Sequence, residues 1–118
     1  MASKIATKRV YEDAARGDGW RVLVDRLWPR GLAKESAAID AWLKDVAPST
    51  ALRRWFNHDP DRWVEFQRRY REELAQQRAA VDELLTRARR GRVTLLYGAR
   101  DEAHNQAVAL AEYLREQL

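Results

Sequence analysis

The chain has 118 residues, enough for one domain around one core, with 46% hydrophobic and 34% charged residues. It contains no cysteine, which excludes disulfides, thiolate nucleophiles and thiolate metal sites and agrees with a reducing, cytoplasmic setting. The net charge of +4 and pI of about 9.8 permit anion or nucleic-acid binding without demanding it.

No apolar run approaches the roughly 20 residues of a membrane span, and Met1-Ala2-Ser3-Lys4 lacks the apolar core of a signal peptide. Ile5 to Val10 reads as a first strand. Tyr11 to Gly19 has two glycines and mixed charge and reads as a loop. Val22-Leu23-Val24 is a continuous apolar, β-prone run, the mark of a strand covered on both faces. Asp25 and Arg26 follow where that strand emerges, and Pro29 and Gly31 turn the chain.

Lys34-Glu35-Ser36 opens a predicted helix carrying Ile39, Trp42, Leu43 and Val46 on one face, closed by Pro48. Ser49 is placed to cap a short helix through Leu52, Trp55 and Phe56. Asp59 before Pro60 is a cap with proline at the first helical position. The following helix carries Trp63, Phe66, Tyr70 and Leu74 on one stripe, with Glu65–Arg69, Arg68–Glu72 and Arg69–Glu73 as four-apart pairs. A break near Gln76 to Arg78 separates it from a helix with Val81, Leu84, Leu85 and Ala88, ended by Gly91. Arg92 to Tyr97 is the third predicted strand. Asp101 caps a last helix carrying Ala103, Ala107, Val108, Leu110, Ala111 and Leu114. The expected fold is a single α/β domain over residues 1–118: three strands, all parallel, with about five helices around them.

Three groups carry candidate chemistry. Asp25, Arg26, Trp28 and Arg30 combine a carboxylate, two fixed cations and a stacking surface, which suits a phosphate or nucleotide. On residue types alone a structural role outweighs this: Asp25 paired with an arginine and Trp28 plugging the core. The loop Tyr97-Gly98-Ala99-Arg100-Asp101-Glu102-Ala103-His104-Asn105 places free N–H groups at a helix start, with His104 as a proton carrier. It has no phosphate-binding fingerprint, and the structural and binding readings are even. His58-Asp59 reads as a cap rather than a catalytic pair. Two separated histidines argue against zinc, and no metal site is assigned.

These residues resemble a known group. Val22 to Gly31, Trp42-Leu43-Lys44-Asp45-Val46-Ala47-Pro48-Ser49, Trp55-Phe56-Asn57-His58-Asp59-Pro60, and Val93 to Tyr97 with Asp101 and His104-Asn105 are similar to the YeaO-like proteins, the bacterial domain-of-unknown-function 488 family. The resemblance runs in order over nearly the whole chain. Longer relatives place a helix between the first two strands, which implies that these strands run parallel here. Tyr11 to Gly19 is too short for that helix. Relatives carry a cysteine at the position of Tyr97 and a Cys-His-Arg run where this chain has His104-Asn105, so the thiol chemistry they imply cannot operate here. Some members carry a transcriptional-regulator label, but no helix-turn-helix with a base-reading face is present.

The leading reading is a site for a small anionic, phosphate- or nucleotide-like ligand at the carboxyl ends of the strands. Arg26, Arg30, Trp28, Gly98 and Asn105 would hold it. Asp25 or His104 would move a proton if there is turnover, and Tyr97 would donate a hydrogen bond. The cofactor is left open. Nucleic-acid binding by the arginine-rich helices is the rival; the interleaved glutamates of those helices favour an ordinary solvated face. A third reading is an interaction module exposing Trp20, Trp42 or Trp55.

Overall fold

The computed structural model describes residues 4–118. Met1, Ala2 and Ser3, considered above for a leader, lie outside the described residues. Four strands form one sheet: β1 (Ile5–Arg9), β2 (Trp20–Leu23), β3 (Ala41–Trp42) and β4 (Val93–Tyr97), in the order β1-β4-β2-β3. Every pairing is parallel. Ile5 aligns with Val93 and Arg9 with Tyr97; Trp20 aligns with Val93 and Leu23 with Leu96.

The sheet therefore has four strands, where the sequence led to three. The extra one is Ala41–Trp42, inside the helix expected from Lys34 to Val46. That helix stops after one turn, α1 (Lys34–Ala37), because Ala38 turns left-handed at φ 50°. Asp40 then locks the chain beside β2: its N–H donates to the Arg21 carbonyl at 2.8 Å, and its carboxylate accepts from the Arg21 N–H at 2.8 Å. A 3-10 turn, Lys44–Val46, follows. β1 and β2 are parallel, as the resemblance implies, but β4 lies between them. Their connection holds only the 3-10 turn Arg16–Asp18, in place of a crossover helix.

Four further helices complete the fold: α2 (Thr50–Phe56), α3 (Trp63–Leu74), α4 (Arg78–Arg90) and α5 (Gln106–Arg115). Ser49 Oγ accepts from the Leu52 N–H at 3.1 Å and starts α2. Asp59 caps the 3-10 turn Pro60–Arg62 that leads into α3. The Glu65–Arg69 and Arg68–Glu72 pairs form. Arg69–Glu73 does not, because Glu73 instead accepts from the Ser49 N–H at 2.7 Å and ties α3 to the start of α2. Asp101 caps a turn, accepting from Ala103 and His104 N–H. The last helix starts a turn later than expected and is capped by Asn105, which accepts from the Val108 N–H at 3.0 Å.

The strands alternate between two cores. Ile5, Val22, Val24, Val93, Leu95 and Tyr97 face the main core under α2 to α5. Val10, Leu23 and Leu96 face the other side, covered by Trp28, Leu32 and Ile39 from loops and by Trp42 of β3. None of the four longer helices covers this second face, and a buried polar node braces it. The Asp18 carboxylate accepts from Lys8 Nζ at 3.0 Å, from the Ala15 N–H at 3.0 Å and from Arg21, whose Nε donates to the Ala38 carbonyl at 2.8 Å. No helix of the described residues is long and apolar enough to cross a membrane.

Candidate functional site

After β2 the chain leaves toward the loop-covered face; after β4 it leaves toward α5 on the opposite face. Where successive segments diverge like this, the carboxyl ends of parallel strands open a crevice. A cleft of about 550 Å³ occupies that place. Its floor joins the exits of β2 and β4. Asp25 Oδ2 accepts from the Gly98 N–H at 2.9 Å, and Oδ1 accepts from the Gln106 side chain at the start of α5. A Cβ on Gly98 would lie 3.0 Å from that Oδ2, so any larger residue there would press on the carboxylate. From the other side, Trp42 Nε1 donates to the Asp25 carbonyl at 2.6 Å.

Asp25 is thus fixed at three points in a poorly hydrated place. Burial raises its pKa from 3.8 to about 6, against the lowering pull of the Gly98 N–H, the Gln106 amide and the Arg53 charge. Around it the cleft is basic: Arg26, Arg30, Arg53 and Arg54 all line it. Arg26 is partly committed, since its guanidinium donates to the Pro48 and Ala47 carbonyls at 3.2 Å each. The side chains of Arg30 and Arg54 make no hydrogen bond or ion pair among the described residues and remain available. Phe56, Phe66, Pro29 and Pro48 supply an apolar lining.

Of the residues expected at the site, Asp25, Arg26, Arg30, Gly98, His104 and Asn105 line this one cleft. His104 is oriented by Asp101, with Nδ1 and Oδ2 2.9 Å apart, and by the Trp63 ring, edge-on at 5.4 Å. Trp28 does not line the cleft. It packs edge-on against Trp42 at 5.4 Å in the smaller core, and its Nε1 donates to the Leu32 carbonyl. Tyr97 is likewise outside, 3% exposed in the main core, its pKa raised by burial and by the nearby Glu102 and Glu12. Side-chain alternation explains this: Tyr97 points to the sheet face rather than off its end.

Sequence reasoning missed Arg53, Arg54, Asn57 and Gln106 and set His58 aside as structural. The α2 residues lie far from β2 and β4 in sequence. A signal for Arg53 and Arg54 existed: two arginines on a seven-residue helix with no acidic partner four residues away. Elsewhere several cations are engaged. Arg68 and Arg69 are held by Glu65 and Glu72. Trp20, Trp42 and Trp55 are half-buried and covered by Arg87 at 4.5 Å, Lys44 at 4.1 Å and Arg69 at 4.1 Å. Among the described residues, no three histidines or carboxylates cluster as metal ligands do.

Comparison with known proteins agrees with the resemblance. An uncharacterized Escherichia coli (strain K12) protein, YeaO, is 43% identical over 111 residues, covering 94% of this chain and 96% of the relative. The uncharacterized Mycobacterium tuberculosis (strain H37Rv) protein Rv3073c is 45% identical over 112 residues, covering 95% and 94%. No solved structure matches the chain significantly. The family model described as the inactive DUF488-N3 subclade matches residues 4–118, and the chain belongs to that family.

Proposed function

We propose that the cleft at the carboxyl ends of β2 and β4 binds a small anionic, phosphate-like ligand. The observation that carries this is charge: four arginines line one cleft against a single carboxylate, and among the described residues the side chains of Arg30, Arg53 and Arg54 make no hydrogen bond or ion pair. Arginine keeps its charge and presents paired donors that match a phosphate or carboxylate. Arg54, Arg53 and Arg30 take the anion, while Arg26 holds the Ala47-Pro48 wall in place. Gln106 and Asp25 define the floor. The subclade is described as inactive, and the chain has no thiol. Both favour recognition over turnover, with His104 and Asp25 as hydrogen-bonding groups.

Thermal unfolding with a panel of phosphates, nucleotides and simple anions tests this, for native protein and for Arg53→Ala/Arg54→Ala. A ligand at about 100 times its dissociation constant adds about 2.7 kcal/mol. Stabilisation is expected in native protein, and its loss in the double variant. The proposal fails if no anion stabilises the protein, or if the double variant responds like the native one.

A further inference from the structure

One part of the cleft has no role in holding an oxyanion. Tyr11 lies on its rim, 42% exposed, and belongs to neither core. Exposed side chains ordinarily change rotamer freely, yet this ring is braced. Its hydroxyl donates to the Arg30 carbonyl at 2.7 Å. The Arg9 guanidinium lies over it, 5.0 Å from the ring centroid. Arg9 is in turn held by the loop after β4: Nε donates to the Ala99 carbonyl at 2.9 Å and Nη2 to the Gly98 carbonyl at 3.4 Å.

Immobilising a side chain costs rotamer entropy, and here little burial returns it. What the bracing yields is a flat apolar surface at fixed orientation beside the arginines. Leu27, 62% exposed, lines the same cleft and adds to the apolar rim. The cleft's volume of about 550 Å³ lies in the range of about 300–1,000 Å³ occupied by organic ligands, with room well beyond a bare oxyanion. Its lining comes from different segments: α2 carries Arg53 and Arg54, whereas Tyr11 follows β1 and is pinned to Arg30.

We propose that the occupant is a phosphate ester of a flat ring, of the nucleoside monophosphate class, with its ring on Tyr11 and its phosphate on Arg53 and Arg54. This rests on the anion-site reading above and adds the ring. Stacking needs only a π-face, so Tyr11 tolerates several bases, as aromatic platforms for nucleotides do.

Calorimetric titration at fixed salt distinguishes the two levels. The probes are inorganic phosphate, ribose 5-phosphate, phenyl phosphate and the four common ribonucleoside monophosphates. Native protein is expected to bind at least one nucleoside monophosphate about tenfold more tightly than ribose 5-phosphate or phosphate, the size of one stacking contribution. Tyr11→Leu should remove that advantage and leave phosphate affinity unchanged; Tyr11→Trp should keep it. Arg54→Ala should weaken every probe. If phosphate alone binds as well as the ring-bearing probes, or Tyr11→Leu keeps the advantage, the ring proposal falls and the anion site stands. Loss of phosphate binding in Tyr11→Leu makes Tyr11 a brace and likewise overturns the proposal. If no probe binds, both fall. Tighter phenyl phosphate than nucleotide overturns the nucleoside assignment alone.

Discussion

The Asp25 carboxylate accepts the Gly98 N–H at 2.9 Å, joining the carboxyl ends of the two central strands across the crevice floor. The approach is close because Gly98 has no Cβ. One there would stand 3.0 Å from Asp25 Oδ2 and 3.6 Å from Pro29 Cβ. Gly98→Ala must therefore push the carboxylate away and lengthen the bond. The expected cost is about 1.5–3 kcal/mol, the worth of a hydrogen bond to a charged group. Urea unfolding measures it. Asp25→Ala/Gly98→Ala should cost less than the sum of the single changes, because the clash disappears with the carboxylate. Strict additivity would mean that the two residues do not act through this contact.

Asp25 also makes stability depend on pH. Its folded pKa of about 6 lies above its ordinary 3.8, so the folded state binds the proton more tightly. The resulting stabilisation is full below about pH 4 and is lost as pH rises to about 6. A rise of this size corresponds to about 3 kcal/mol. Asp25→Asn cannot ionise. Relative to native protein it should gain stability between about pH 4 and 6.5, then run parallel above that range. Urea unfolding of both proteins across this range reads the difference directly. A constant difference would show that the carboxyl is not raised. Sulfate, which does not titrate here, should bind native protein more tightly at about pH 5 than at about pH 7.5, and Asp25→Asn should shrink that ratio.

The strand-end rule found half of this site from the sequence, because it concerns consecutive residues. Val22 to Val24 is a buried run, Asp25 and Arg26 break it, and Gly98 follows a second such run. β3 was not legible. Ile39, Trp42, Leu43 and Val46 do fall on one helical face, but a two-residue strand has no periodicity to oppose that pattern. The deciding facts are the turn at Ala38 and the pairing of Asp40 with Arg21, nineteen residues away. Trp28 suits a ligand or a core equally well. Only the second sheet face, uncovered by helices, settles that it packs on Trp42. Arg53 and Arg54 reach the cleft because Ser49 and Glu73 fix where α2 starts against α3, a contact without a local signature.

Gly19 carries the entry to β2. It sits at φ 65°, and a Cβ would come 2.2 Å from the Arg92 carbonyl oxygen. That same oxygen accepts the Trp20 N–H at 2.9 Å and begins the β2–β4 ladder. Backbone cannot step aside as a side chain can. Gly19→Ala combines left-handed strain with a clash at the first rung, and should cost more than about 3 kcal/mol. Gly17→Ala is the control, since nothing lies within 4 Å of its Cβ position. The expected result is a large fall in the urea midpoint for Gly19→Ala and a change within about 1 kcal/mol for Gly17→Ala. Similar losses at the two positions would show that flexibility of the loop, rather than the approach to Arg92, is what glycine supplies.

The Asp18 node replaces the crossover helix that this short connection lacks. Asp18 and Arg21 are 7% and 5% exposed. Arg21 further donates to the Ala37 and Ala38 carbonyls, where α1 ends. Burial alone would raise the Asp18 pKa, but the Ala15 N–H, Lys8 and Arg21 outweigh it and hold the carboxyl below its usual range. The pair is thus charged at neutral pH, and removing one member strands the other. Asp18→Ala should cost about 3–5 kcal/mol, because Arg21 stays buried without its counter-charge. Arg21→Met should cost less, because Asp18 keeps Lys8 and the Ala15 N–H. The double variant should cost clearly less than the sum, since neither charge is then left alone. Two-state unfolding of the four proteins in urea at neutral pH gives the coupling. A sum that adds within about 0.5 kcal/mol would mean that Asp18 and Arg21 each hold their loop separately, and that the second face is not braced by their pairing.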